Sequence, residues 1–148
     1  MRKSVTIMLV TLCSTAYAAI GTAGSTVDYC PKIADIQQTH SIYRANTNAG
    51  GEWLGIASSG SSGAIVQFDS ATIYPDQHGN AANATVGKCS YRLNSGMVDL
   101  RYQPGTTPEP RVSVTSHNVW ERREGPFGLV FLECKQGDPQ ACKFVVNK

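Results

Sequence analysis

The sequence predicts an all-β domain: an antiparallel β-sandwich or barrel of about seven or eight short strands, held by disulfides. Three observations predict it. Short runs in which apolar and polar residues alternate recur along the chain, separated by Gly, Pro, Asn and Ser clusters. That is the pattern of strands showing one face to a core. No long stretch carries the 3.6-residue period of a helix packing one side. Four cysteines, Cys30, Cys89, Cys134 and Cys142, remain once the N-terminal leader is set aside, an even number that suits two bridges.

The leader comes first. Arg2 and Lys3 precede an apolar run from Val5 to Cys13, and Ala16-Tyr17-Ala18 supplies small residues for cleavage. This order predicts a secretory signal peptide at residues 1–18, with an apolar run too short to cross a membrane. Leu12 stands before Cys13 where a lipoprotein signal needs a small residue, so the cut after Ala18 is preferred. Residues 19–28 are small and polar and are expected to form a flexible leader, with a single β-domain at 29–148. Loss of Arg2 and Lys3 from the 13 basic residues brings them level with the 11 acidic ones. A balance near zero gives no basis for a nucleic-acid partner. No later segment approaches the roughly 20 apolar residues of a transmembrane segment.

Within the domain, Pro31 keeps Cys30 extended, and a strand is expected over about Asp35–Ala45, ended by the breakers Asn48, Gly50 and Gly51. Glu52–Ala57, carrying Trp53, reads as a second strand. The Ser58–Gly63 loop is polar but short enough for an ordinary connection. Ala64–Tyr74 reads as a strand with a bend near Asp69-Ser70, and Asp76–Ala84 as a loop.

Lys88–Tyr102 is the best-patterned hairpin. Cys89, Tyr91 and Leu93 alternate with polar residues, as do Val98, Leu100 and Tyr102. With Ser95-Gly96 as the loop, Leu93 faces Val98, Tyr91 faces Leu100, and Arg92 pairs with Asp99. Three prolines take 104–110 out of the sheet, and Arg111–Thr115 turns Val112 and Val114 inward. His117–Gly125 is polar and has no clear pattern. Gly128–Cys134 reads as a buried strand, Lys135–Gln140 as a turn and Cys142–Val146 as the last strand.

Four cysteines permit three connectivities. The expected one is Cys30–Cys89, tying the N-terminal segment to the central hairpin, with Cys134–Cys142 clamping the C-terminal turn. Bridged cysteines of an exported chain leave no thiol nucleophile.

The inventory for catalysis is thin, and the expected catalytic, metal and cofactor sets are empty. His40, His78 and His117 are far apart, so no local pair has metal-ligand spacing. Asp76 and His78 share one loop, and Glu52, Asp99 and Glu133 meet only if the fold brings them together. The strongest candidates for contact with a partner are Trp120, Arg122 and Arg123, because Trp and Arg dominate protein–protein affinity. Trp120 also reads as a core plug beside a solvated charged turn. The expected function is a non-enzymatic, exported binding module, periplasmic or extracellular, that engages another protein as an inhibitor or immunity protein does. The alternatives are a small periplasmic hydrolase or carbohydrate-active module and an envelope structural component.

Tyr29-Cys30-Pro31, Lys88-Cys89-Ser90-Tyr91, Val98-Asp99-Leu100-Arg101-Tyr102, and Cys134 with Asp138-Pro139-Gln140-Ala141-Cys142-Lys143-Phe144 frame residues 29–144. In these segments the chain resembles a group of small exported bacterial four-cysteine β-domains of unknown function. The resemblance implies a periplasmic or secreted β-domain and transfers no catalytic residue. Periplasmic lysozyme inhibitors are similar by class only: the residues around Ser62-Gly63 and Ser95-Gly96 do not match their inhibitory loop.

Overall fold

A computed structural model describes residues 24–147. The expected signal peptide at 1–18 therefore lies outside the described residues. The described chain is all-β. Its strands are β1 (Thr26–Asp28), β2 (Gln37–Thr39), β3 (Ile42–Asn46), β4 (Glu52–Ile56), β5 (Ser62–Tyr74), β6 (Ala84–Ser95), β7 (Met97–Tyr102), β8 (Arg111–Ser113), β9 (Glu121–Glu124), β10 (Val130–Cys134) and β11 (Phe144–Val146). They pair antiparallel in one sheet that curls into half a barrel.

β6 is the axis of the sheet. One of its edges pairs with β5 along nearly its whole length. The other edge is shared, with Ala84 and Thr85 pairing to β8 and Cys89–Arg92 pairing to β7. From β7 the sheet continues through β4, β3 and β2; from β8 it runs through β11 to β1; from β5 it runs through β10 to β9. Strands this long must bend, and register shifts between β5 and β6 supply the bend. One shift falls at Phe68/Ser70, where the sequence predicts it, so Phe68 and Ala71 both face the core although three positions apart. Another falls beside Gly87, where a Cβ would lie 2.5 Å from the Tyr74 ring.

The core lies on one face. Trp53 packs edge-on against Tyr102, with ring centroids 4.8 Å apart, and Phe144 completes the trio. Tyr91, Leu93, Val98 and Leu100 of the central hairpin are buried beside it. Both disulfides have the expected partners, Cys30–Cys89 and Cys134–Cys142, and all four cysteines are buried.

Four expectations need correction. The end of the leader is not free: Thr26–Asp28 is β1, paired to β11, with the Asp28 carboxylate accepting from Tyr102 Oη at 2.8 Å. The strand expected over 35–45 is a hairpin of β2 and β3, turned at His40 with φ 57°. β10 is half-buried instead of enclosed, because it carries strands on both edges but only alternate residues face the core.

The central hairpin keeps its predicted faces but slips by two residues. Tyr91 faces Val98, Ser90 faces Asp99, and Leu93 N–H bonds the Gly96 carbonyl at 2.9 Å. A slip of one residue would turn every side chain over, whereas a slip of two leaves the apolar pattern unchanged. Asp99 therefore meets Lys88 at 2.6 Å, and Arg92 lies 4.0 Å from Asp69.

Candidate functional site

The residues singled out for partner contact lie at the start of the β9–β10 hairpin, and the fold separates them. Trp120 is only 5% exposed and belongs to the core. Its indole N–H donates to the Lys143 carbonyl. It is not a surface anchor, because an apolar ring with one satisfied N–H is more stable inside. Arg122 and Arg123 are exposed, but each is paired with a glutamate of its own strand. Arg122 bonds Glu124 at 3.0 Å, Arg123 bonds Glu121 at 2.5 Å, and Arg123 Nε also reaches Glu133 at 3.3 Å. A strand alternates its faces, so Glu-Arg-Arg-Glu puts one opposite-charge pair on each side. The charges line an edge strand and discourage a second sheet from adding there.

The hairpin tip carries what the sequence reading missed. Gly125 N–H bonds the Leu129 carbonyl at 2.7 Å, and Leu129 N–H bonds the Pro126 carbonyl at 3.3 Å. Between them Phe127 takes φ 60° and ψ 25°, and Gly128 takes φ 74°. These angles match a type I′ turn, which favours Asn, Asp or Gly at its first central position. Here that position holds a phenylalanine, 108% exposed, with Leu129 half-exposed beside it. Left-handed backbone costs a non-glycine residue about 1–2 kcal/mol. The dipeptide Phe127-Gly128 after Gly125-Pro126 was a visible turn signal; an aromatic in it was the clue.

Beside the hairpin runs a groove of about 650 Å³ across the face of β5, β6, β7 and β10 that points away from the core. Ser70, Thr72 and Ser90 lie in its floor and are themselves buried. Lys88, Asp69, Asp99 and Glu133 surround them, and Tyr74, Phe131, Leu129 and Met97 give an apolar wall. Nothing local in the sequence announces this site, since residues of four strands and their connecting loops assemble it.

Of the carboxylates considered as a set, Asp99 and Glu133 share the groove, whereas Glu52 lies elsewhere beside Arg44. Asp76 Oδ1 accepts the backbone N–H groups of Asn80 at 2.9 Å and His78 at 3.0 Å, closing its own loop. The Asn80 hydrogen bond leads the causes that hold this carboxyl below its usual range. His40, His78 and His117 stay exposed in three separate loops.

Among the described residues no helix is long and apolar enough to cross a membrane. A family model described as a protein of unknown function (DUF3757) matches residues 25–145, and the chain belongs to that family. No curated protein and no solved structure matches the chain significantly.

Proposed function

We propose that this DUF3757 member is an exported, non-enzymatic binding module that engages another protein through the tip of its β9–β10 hairpin. The observation carrying the reading is Phe127: a fully exposed aromatic ring held in left-handed backbone at a turn where Asn or Gly is favoured. Neither folding nor solubility gains from it, and strain retained at an exposed site points to function. A ring on a disulfide-braced sheet loses little freedom on insertion into a partner's apolar pocket. Leu129 extends the apolar contact, and the paired charges of β9 supply a polar rim.

Export is supported by two disulfides in a small domain, which persist in oxidising compartments, and by the signal-like order of residues 1–18. The hydrolase alternative draws no support from Asp76 and His78. The charged edge of β9 opposes edge-to-edge assembly and weighs against a structural component.

The test is site-specific photocrosslinking in cells that export the protein. A photoreactive phenylalanine analogue replaces Phe127, and a control protein carries it at Val66, which is half-exposed on β5. A discrete adduct with another protein from position 127 alone is expected. Absence of such an adduct, or equal adducts from both positions, would overturn the reading.

A further inference from the structure

We propose that the groove beside the hairpin binds a neutral saccharide of linked pyranose rings. Its volume of about 650 Å³ falls within the roughly 300–1,000 Å³ of small-molecule sites.

The floor is built to accept hydrogen bonds. Ser90 Oγ donates to Asp99 Oδ1 at 2.6 Å, and Ser70 Oγ donates to Asp69 Oδ2 at 2.9 Å. With their protons committed, these oxygens keep lone pairs for hydroxyl donors of a ligand. Thr72, 6% exposed, lies two residues along β5 from Ser70, opposite Lys88, and lines the same floor.

Each carboxylate of the groove has a cationic partner in the protein, Lys88 within the lining and Arg92, Arg123 and Lys135 outside it. Lys88 Nζ lies 2.6 Å from Asp99, Arg92 lies 4.0 Å from Asp69, and Glu133 has Arg123 at 3.3 Å and Lys135 at 3.4 Å. An anion would meet a carboxylate beside each cation, and a cation would find every carboxylate partnered. A ligand without net charge avoids both penalties and still uses charge-assisted hydrogen bonds.

The wall is apolar. The Tyr74 and Phe131 rings stand edge to face with centroids 6.5 Å apart. A pyranose ring presents hydroxyls at its rim and C–H groups on its faces, so a polar floor beside an aromatic wall meets both. Phe127 does not line the groove, although Leu129 beside it does, so this proposal does not rest on the exposed ring that carries the reading of the hairpin tip.

The test is an amide NMR titration of the exported chain. The probes are the neutral trisaccharides cellotriose, maltotriose and triacetylchitotriose, with trigalacturonate and a glucosamine trimer as anionic and cationic controls. At least one neutral trisaccharide should shift the amides of Thr72, Lys88, Ser90 and Asp99, with an affinity insensitive to salt. Thr72→Val should weaken that binding about fivefold, the loss of one neutral hydrogen bond. If Thr72→Val does not fold, Phe131→Leu tests the wall and should also weaken binding. No shift at these amides with any neutral probe, or tighter binding of either charged trimer, overturns the proposal. Failure of crosslinking at position 127 would leave this titration unaffected.

Discussion

The Trp120 indole N–H donates to the Lys143 carbonyl at 3.1 Å, joining the entrance of β9 to the segment between Cys142 and β11. Trp120 thereby fixes the base of the hairpin while Phe127 projects from its tip. Trp120→Ala should cost about 3–5 kcal/mol of stability. Trp120→Phe should keep most of the burial and leave the Lys143 carbonyl without its partner, at about 1–2 kcal/mol. Denaturant unfolding measures both. An unchanged midpoint for Trp120→Ala would contradict the core assignment.

The two disulfides should contribute unequally. Cys30–Cys89 spans 59 residues and Cys134–Cys142 spans 8. Loop-closure entropy then assigns about 4 kcal/mol to the first and about 2.5 kcal/mol to the second. Replacing each pair by alanine and comparing unfolding free energies tests the order. A larger loss from the short loop would mean that local packing outweighs chain entropy.

The register of the central hairpin can be read energetically. A double-mutant cycle on Lys88 and Asp99 should give a coupling of a few tenths of a kcal/mol up to about 1 kcal/mol, because both side chains are partly exposed. The same cycle on Arg92 and Asp99 should give none. Coupling in the second pair alone would restore the register that places Arg92 opposite Asp99.

Alkaline stability should report the core tyrosines. Tyr91 donates its hydroxyl to the Pro31 carbonyl at 2.6 Å, and burial raises its pKa well above the ordinary 10.0. Burial, followed by the nearby Asp28 carboxylate, raises that of Tyr102. Below pH 10 both phenols are protonated folded or unfolded, so neither makes stability depend on pH. Above it the unfolded chain releases protons that the native state retains, and stability falls as pH rises. Tyr91→Phe should lessen the slope by about 1.4 kcal/mol per pH unit. An unaltered slope would contradict the assignment.

Much of the fold was legible because strands declare themselves by a two-residue period. Tyr91, Leu93, Val98 and Leu100 alternate cleanly and are buried as the pattern requires. The bend at Asp69-Ser70 was visible where that period breaks. Register was not legible, since moving Asp99 from Arg92 to Ser90 leaves every face unchanged. β9 escaped notice because Glu-Arg-Arg-Glu has no apolar face and pairs only on the edge of β10. Nor was the groove legible: Thr72, Ser90 and Glu133 are ordinary outward-facing residues until three strands set them side by side. For Phe127 the difficulty was different. Its turn was readable, but exposure of an aromatic is a tertiary property that the sequence leaves open.

Phe127 is the proposed point of contact with a protein partner, and glycine at that position separates contact from folding. Phe127→Gly removes a fully exposed ring and relieves left-handed backbone, so stability should hold or rise by about 1 kcal/mol. The decisive measurement is the affinity of the crosslinked partner, once purified, for the wild-type protein and for Phe127→Gly. A loss of about thirtyfold or more is expected, equivalent to the roughly 2 kcal/mol of an interface hot spot. Equal affinity for the two proteins would contradict the claim.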